Sequence, residues 1–168
     1  GEPRFQVSPG PTGQQVFGID VEGLAPGAEA VIGDTVFGFP LKGIGLIPAG
    51  EYTVQAILNR YETFSRSDGH TVKLPPDRGE GQQWASKPGN FYSTPQRVIL
   101  DPAAGGRVEI VLDQVIPEIS PAEDTEWIKH VRIRSDLLSE FWGTDMYLGA
   151  HVLLPAGFED HPEARYPL

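Results

Sequence analysis

The chain has 168 residues, 39% of them apolar and 21% charged, with a formal net charge of −10 and no cysteine. These proportions belong to a folding domain and lie far from the weakly apolar, highly charged corner where chains stay disordered. The acidic balance argues against a phosphate-binding surface and so against nucleic acid as a partner, since that needs clustered Lys and Arg, and the lack of cysteine excludes a disulfide framework or thiolate metal site.

No apolar run of about 18 residues is present to span a membrane, and the N-terminal GEPRFQVSPG has no apolar h-region of a signal peptide. The 20 glycines and 16 prolines are scattered between short apolar runs, which predicts many turns and short strands. In chain order, VFGIDVEG (16–23), EAVIG (29–33) and TVFGFP (35–40) are predicted strands, with LAPG and GD as turns. EYTVQAIL follows the turn PAG and alternates cleanly, with Tyr52, Val54, Ala56 and Leu58 on one face and Glu51, Thr53 and Gln55 on the other.

From Tyr61 to Ser93 the pattern weakens into a polar loop rich in Gly and Pro, and only His70 to Leu74 is strand-like. A loop of that length in a compact domain points to a function or an interface. QRVIL (96–100) and RVEIVL (107–112) flank the turn DPAAGG and are expected to pair as an antiparallel hairpin. No segment before Pro117 has helical periodicity, so residues 1–115 read as an immunoglobulin-like antiparallel β-sandwich.

Residues 116–126, acidic and rich in proline, read as a linker. Residues 127–168 open with WIKHVRIRS, an alternating strand, continue with SDLLSEFWG, a turn of helix capped by Ser135 or an irregular corner, and reach MYLGAHVLLP, a predicted buried strand.

Sites are sparse. None of the serines sits in a G-x-S-x-G elbow, and GIGLIPAG (43–50) lacks the Lys-Ser/Thr ending and following helix of a phosphate loop, so it reads as a strand-to-turn connection. His70, His130, His151 and His161 are dispersed; Glu126 and His130, four apart, would share a face only on a helix, and the segment alternates like a strand. His151 is expected to be a hydrogen-bonded structural histidine. Asp68, Asp77 and Glu80 offer oxygen ligands, but their spacing fits no EF-hand and a solvated acidic loop is the ordinary reading. No metal and no cofactor is therefore expected. Trp84, Phe91 and Tyr92 are the candidates for a ligand surface or an active-site entrance, because aromatic faces on a loop bind sugars or apolar partner surfaces; packing beneath their own loop is the simpler alternative.

HVRIRSDLLSEFWGTDMYLGAHVLLPAGFEDHPEARYPL resembles the start of the catalytic domain in bacterial esterases of the α/β-hydrolase type, related to the enterochelin esterase and esterase D-like group. The phrase Leu153-Leu154-Pro155-Ala156-Gly157-Phe158 and the following Tyr166-Pro167-Leu168 carry that likeness. FGFPL, PAGEYTVQAILNRYETF, GEGQQW and KPGNFYSTPQ are similar to the N-terminal β-domain of a bacterial subgroup of these esterases.

The resemblance implies a β-sandwich followed by the first two strands of a hydrolase sheet, with the oxyanion loop, nucleophile, acid and histidine all beyond position 168. No catalytic residue can be assigned to this chain on that basis. It also implies a fragment or one piece of a cleaved or split protein, with the remainder of the esterase, as the same or a separate chain, for a partner. A homodimer is the other expected partner, since an unpaired strand edge invites one. A secreted or periplasmic location follows from the resemblance alone. The alternative function is a carbohydrate- or protein-binding β-sandwich module without chemistry.

Overall fold

The computed structural model describes residues 1–77 and 83–166. The protein is mainly β, built from small antiparallel sheets. It divides into two compact units, Gly1–Asn59 with Trp84–Ile116, and Arg60–Gln83 with Pro117–Leu168. None of the described helices is long and apolar enough to cross a membrane.

In the first unit, β1 (Val16–Phe17) pairs with β2 (Gly38–Phe39). Gly38 is required there, because a Cβ would lie 2.5 Å from the Phe17 ring and 2.6 Å from the Leu41 carbonyl. The clearest strand is β3 (Gly50–Val54), in which Gly50, Tyr52 and Val54 are half-buried and Glu51 and Thr53 exposed, as the alternation predicts. EYTVQAIL is nonetheless two strands, since the ladder breaks at Gln55-Ala56 and resumes as β4 (Ile57–Leu58).

The partner of β3 is QRVIL, which forms β8 (Gln96–Leu100) with Tyr52 opposite Val98 and Thr53 opposite Arg97. On the outer face the Arg97 guanidinium meets Glu51 at 2.8 Å. The expected hairpin between QRVIL and RVEIVL does not form. Residues 107–112 and 29–33 hold no strand; Val31, Ile32, Val108 and Val111 are exposed, Val31 at 74% and Val111 at 58%, while Ile110 and Leu112 are half-buried. β8 has β3 as its one partner, at a distance in sequence that a local hairpin signal does not register. What links those two segments is a bidentate ion pair, with Arg107 Nη2 2.9 Å from both Glu29 oxygens. A three-stranded sheet, with β7 (Phe91–Tyr92) between β4 and β9 (Gln114–Val115), completes this unit.

In the second unit, β5 (Glu62–Ser65) and β6 (Thr71–Leu74) form a hairpin inside the stretch expected to be loop. The strand at residues 62–65 is a correction: ETFS buries one apolar side chain, Phe64, too few for its period to stand out in the sequence. α1 (Asp136–Trp142) is a true helix, with the Ser135 Oγ accepting from the Leu138 N–H as the N-cap, and Gly143 closing it at φ 67°. A Cβ on Gly143 would lie 2.7 Å from the Ser65 carbonyl oxygen, so no other residue fits without a shift. The Ser67 N–H donates to the Phe141 carbonyl at 2.8 Å, and Trp142 meets Phe64 edge-on with centroids 5.8 Å apart. Arg66 lies over the Phe141 ring at 4.9 Å and pairs with Asp68.

β10 (Ile128–Arg134) and β11 (Tyr147–Leu153) form an antiparallel ribbon of seven residues a side. Ser139, buried in the middle of α1, ties the helix to it: its hydroxyl donates to the Ser135 carbonyl at 2.7 Å and accepts from the Met146 N–H at 2.9 Å. The sequence places β11 correctly but predicts burial, and every residue of β11 is exposed. The physical reason is that, among the described residues, β11 has β10 as its one strand partner, in a sheet of two strands.

Among the described residues the buried apolar side chains are Val36 and Ile116 alone. The accessible surface is 12841 Å², against about 8,100 Å² for a compact monomer of this mass, or about 9,800 Å² for two separate bodies of half the mass. The division into two units therefore leaves a large part of the exposed surface unaccounted for.

Candidate functional site

The sequence-predicted residues Trp84, Phe91 and Tyr92 fall in the first unit, all half-buried. They are held by a polar network. Asn90, fully buried, donates from Nδ2 to the Trp84 carbonyl at 2.9 Å and to Asn59 Oδ1 at 3.0 Å. Ser93, also fully buried, accepts at Oγ from the Ala56 N–H at 3.0 Å and donates its own N–H to the Ala56 carbonyl at 3.0 Å, which prolongs the pairing of β4 with β7. Gly89 N–H to Ile116 O and Ile116 N–H to Asn90 O, both 2.9 Å, prolong the β7–β9 pairing.

Arg4 closes the network. Its side chain is 10% exposed; Nε donates to Glu2 Oε2 at 2.6 Å and Nη1 to the Ala85 carbonyl at 2.8 Å. The guanidinium lies over Tyr92 at 4.1 Å and over Phe5 at 4.3 Å. Gln55 bridges the rest: its Oε1 accepts from the Arg4 N–H at 3.1 Å, and its Nε2 donates to Glu2 Oε2 at 2.9 Å and to the Ser93 carbonyl at 2.8 Å. The Glu2 carboxyl is held below its ordinary range by the hydrogen bonds from Gln55 and then Arg4. One face of Tyr92 is thus occupied by a cation of its own chain, which weakens the case for a sugar-stacking platform at that ring. Neither Arg4 nor Gln55 carries a sequence signal, since an arginine finds its ring through tertiary contact.

The other candidate surface is the β10–β11 ribbon. Hydrogen bonds from Leu154 N–H to Trp127 O (2.7 Å) and from Ser135 N–H to Met146 O (2.8 Å) bracket the ladder. Alternation between them makes Ile128–Leu153, His130–His151, Arg132–Gly149 and Arg134–Tyr147 the non-hydrogen-bonded pairs, whose side chains share one face. The opposite face carries Val131, Ile133, Leu148, Ala150 and Val152 with Lys129, and there Ile133 is 59% and Leu148 56% exposed.

The edges differ. At the start of β10 the outward groups are covered: Thr125 N–H donates to Ile128 O at 2.9 Å, Ile128 N–H to Thr125 Oγ1 at 2.9 Å, and His130 N–H to Asp124 Oδ1 at 2.8 Å. Along β11, among the described residues, no hydrogen bond reaches the outward N–H and C=O groups of Tyr147, Gly149, His151 or Leu153. This strand has no Lys, Arg, Asp or Glu, no proline and no bulge, the devices that normally protect an edge.

The histidines divide. His130 and His151 lie directly opposite, rings edge to face with centroids 4.6 Å apart, and Asp124 Oδ1 is 3.1 Å from His130 Nδ1. The hydrogen bonds from the His130 backbone and then its ring keep the Asp124 carboxyl below its ordinary range. The expected structural role of His151 is not what the strand provides, because its ring is at the surface. Glu126 plays no part in the cluster; the signal that could have found it is the antiparallel alignment of WIKHVRIR with YLGAHVL, which sets the two histidines opposite each other.

Of the oxygen ligands weighed for calcium, Asp68 is committed to its own turn, accepting from the His70 N–H at 3.1 Å and pairing with Arg66, while Glu80 lies outside the described residues. Among the described residues no group of three or more His, Cys, Asp or Glu side chains is arranged to hold a metal ion. The sequence matches no protein-family model, no curated protein and no solved structure.

Proposed function

We propose that this chain is the non-catalytic N-terminal portion of a carboxylic-ester hydrolase, shaping or supporting an active site whose catalytic residues lie in a hydrolase part beyond it. The observation that carries the reading is the β10–β11 ribbon, with an uncovered face of Val131, Ile133, Leu148, Ala150 and Val152 and the open β11 edge. Such a ribbon is what the first two strands of a larger sheet look like without the layers that bury them. The likeness of LLPAGF (153–158) to hydrolase sequences supplies the chemistry of the proposal.

In this reading the first unit is an immunoglobulin-like accessory sandwich, the segment around Trp84 leans toward the substrate entrance, and the location is secreted or periplasmic. The remainder of the esterase, in the same or a separate chain, is the partner.

The test uses the longest natural polypeptide that contains these residues, together with any chain that copurifies with it. That material is expected to label with a fluorophosphonate at a serine outside these residues and to hydrolyse p-nitrophenyl esters, while this chain alone does neither. No labelled serine and no hydrolysis over a panel of acyl lengths would end the proposal. Replacing Trp84 by Ala in the active material is expected to change the preference among acyl lengths with the serine still labelled.

A further inference from the structure

We infer that His130 and His151 form a surface binding site for a divalent transition-metal cation of the Zn²⁺ type, with Asp124 as the carboxylate that orients the first imidazole. This does not depend on the hydrolase reading, because it rests on the ribbon's own geometry.

The two histidines occupy a non-hydrogen-bonded cross-strand pair, the register in which opposite side chains approach most closely, and their ring centroids are 4.6 Å apart. An ionised Asp124 can only accept, so the contact at 3.1 Å places the His130 proton on Nδ1 and leaves the Nε2 lone pair for a ligand. A carboxylate behind a ligating histidine is the usual device for fixing ring orientation and raising basicity. The second bond to Asp124, from the His130 backbone N–H at 2.8 Å, anchors that carboxylate to the strand itself.

The surroundings leave room. Gly149, beside His151 on the same strand face, has nothing within 4 Å of where a Cβ would be. Arg132, the nearest cation along that face, lies over the Tyr147 ring at 3.8 Å, on the side away from His151. Two imidazoles, with no third ligand among the described residues, make an open site completed by water, suited to Zn²⁺, Ni²⁺ or Cu²⁺ and not to Mg²⁺ or Ca²⁺, which need oxygen ligands. The cation is held in an exchangeable way, unlike a closed structural zinc with four protein ligands.

The test titrates Zn²⁺ into the full chain in a non-coordinating buffer, by calorimetry and by the imidazole resonances of the four histidines. One saturable site is expected, with the His130 and His151 signals shifting together and Mg²⁺ giving no response. His151→Ala, at an exposed position that tolerates the change, should weaken binding at least tenfold, and Asp124→Asn by about tenfold. His151→Gln, which keeps bulk and polarity, should match the alanine variant, while replacing His70 and His161 together by Ala should leave binding unchanged. Full affinity in either His151 variant, loss of binding in the His70/His161 variant, or no saturable heat would each overturn the inference.

Discussion

The segment Trp84 to Ser93 and the β10–β11 ribbon treat their backbone groups in opposite ways. In the first, short strands are prolonged by buried Asn90 and Ser93, and Arg4 and Gln55 fill the remaining positions, so a region almost without apolar core is fixed by polar contacts. In the second, a full-length ladder has apolar side chains on an open face and unpaired groups along an open edge. The contrast teaches that order and completeness are separate properties. A buried polar network has its partners inside the chain because leaving one unmade is costly, whereas a two-stranded ribbon is ordered by its own ladder and gains its main burial only from something added to it.

The largest expected effect breaks the saturated side of the comparison. Asn90→Ala removes the fully buried donor to Trp84 O and Asn59 Oδ1 and leaves both half-buried acceptors without it, which should cost about 3 kcal/mol in urea unfolding. A loss below about 0.5 kcal/mol would mean the network is not what fixes this region. Next is Gly143→Ala, in which a left-handed φ and a backbone oxygen 2.7 Å from the new Cβ act together; about 2 kcal/mol is expected, seen as a lowered urea midpoint.

The open side predicts indifference. Leu148→Asp on the ribbon's uncovered face should change the stability of this chain by less than about 0.5 kcal/mol, yet abolish association with the partner proposed above. Amide exchange sharpens the same point. Leu148, Ala150 and Val152 face β10 and should be protected, while Tyr147, Gly149, His151 and Leu153 exchange freely, a period of two that pairing of the β11 edge would erase.

The smallest effect is electrostatic. The folded Glu2 carboxyl titrates below its usual 4.5, so its contribution is present above that pH and is lost as pH falls through the lower folded value. Because the side chain is 38% exposed, solvent screening keeps the effect modest. Glu2→Gln is expected to flatten the acid limb of the stability profile below pH 4.5, measured by thermal unfolding across acidic buffers.

Much of the second unit was legible in the sequence. Ser135 with an apolar run after it offered a capped turn of helix as one of two readings, the other being an irregular corner, and the alternation in WIKHVRIRS with the apolar run in MYLGAHVLLP forecast two strands, because periodicity and capping are local properties that survive any tertiary setting. The alternation of β3 was legible for the same reason. Pairing was not: QRVIL joins β3 across more than forty residues instead of RVEIVL across a turn, since a strand's side-chain period says which face is buried but not which edge is taken.

The candidate aromatics were legible as residues and illegible as a site, because the Arg4 guanidinium that covers Tyr92 comes from the other end of the unit's chain. The amino-acid sequence by itself determined a mainly β protein with two strands flanking SDLLSEFWG, through local period and turn chemistry, and left that segment as a turn of helix or a corner. Only the tertiary structure decided that Asp124, His130 and His151 meet, that Arg4 and Gln55 fasten the Trp84 to Ser93 segment, and that β11 is open to water. Those facts depend on contacts between residues distant in the chain, and no local pattern encodes the register or layer that brings such residues together.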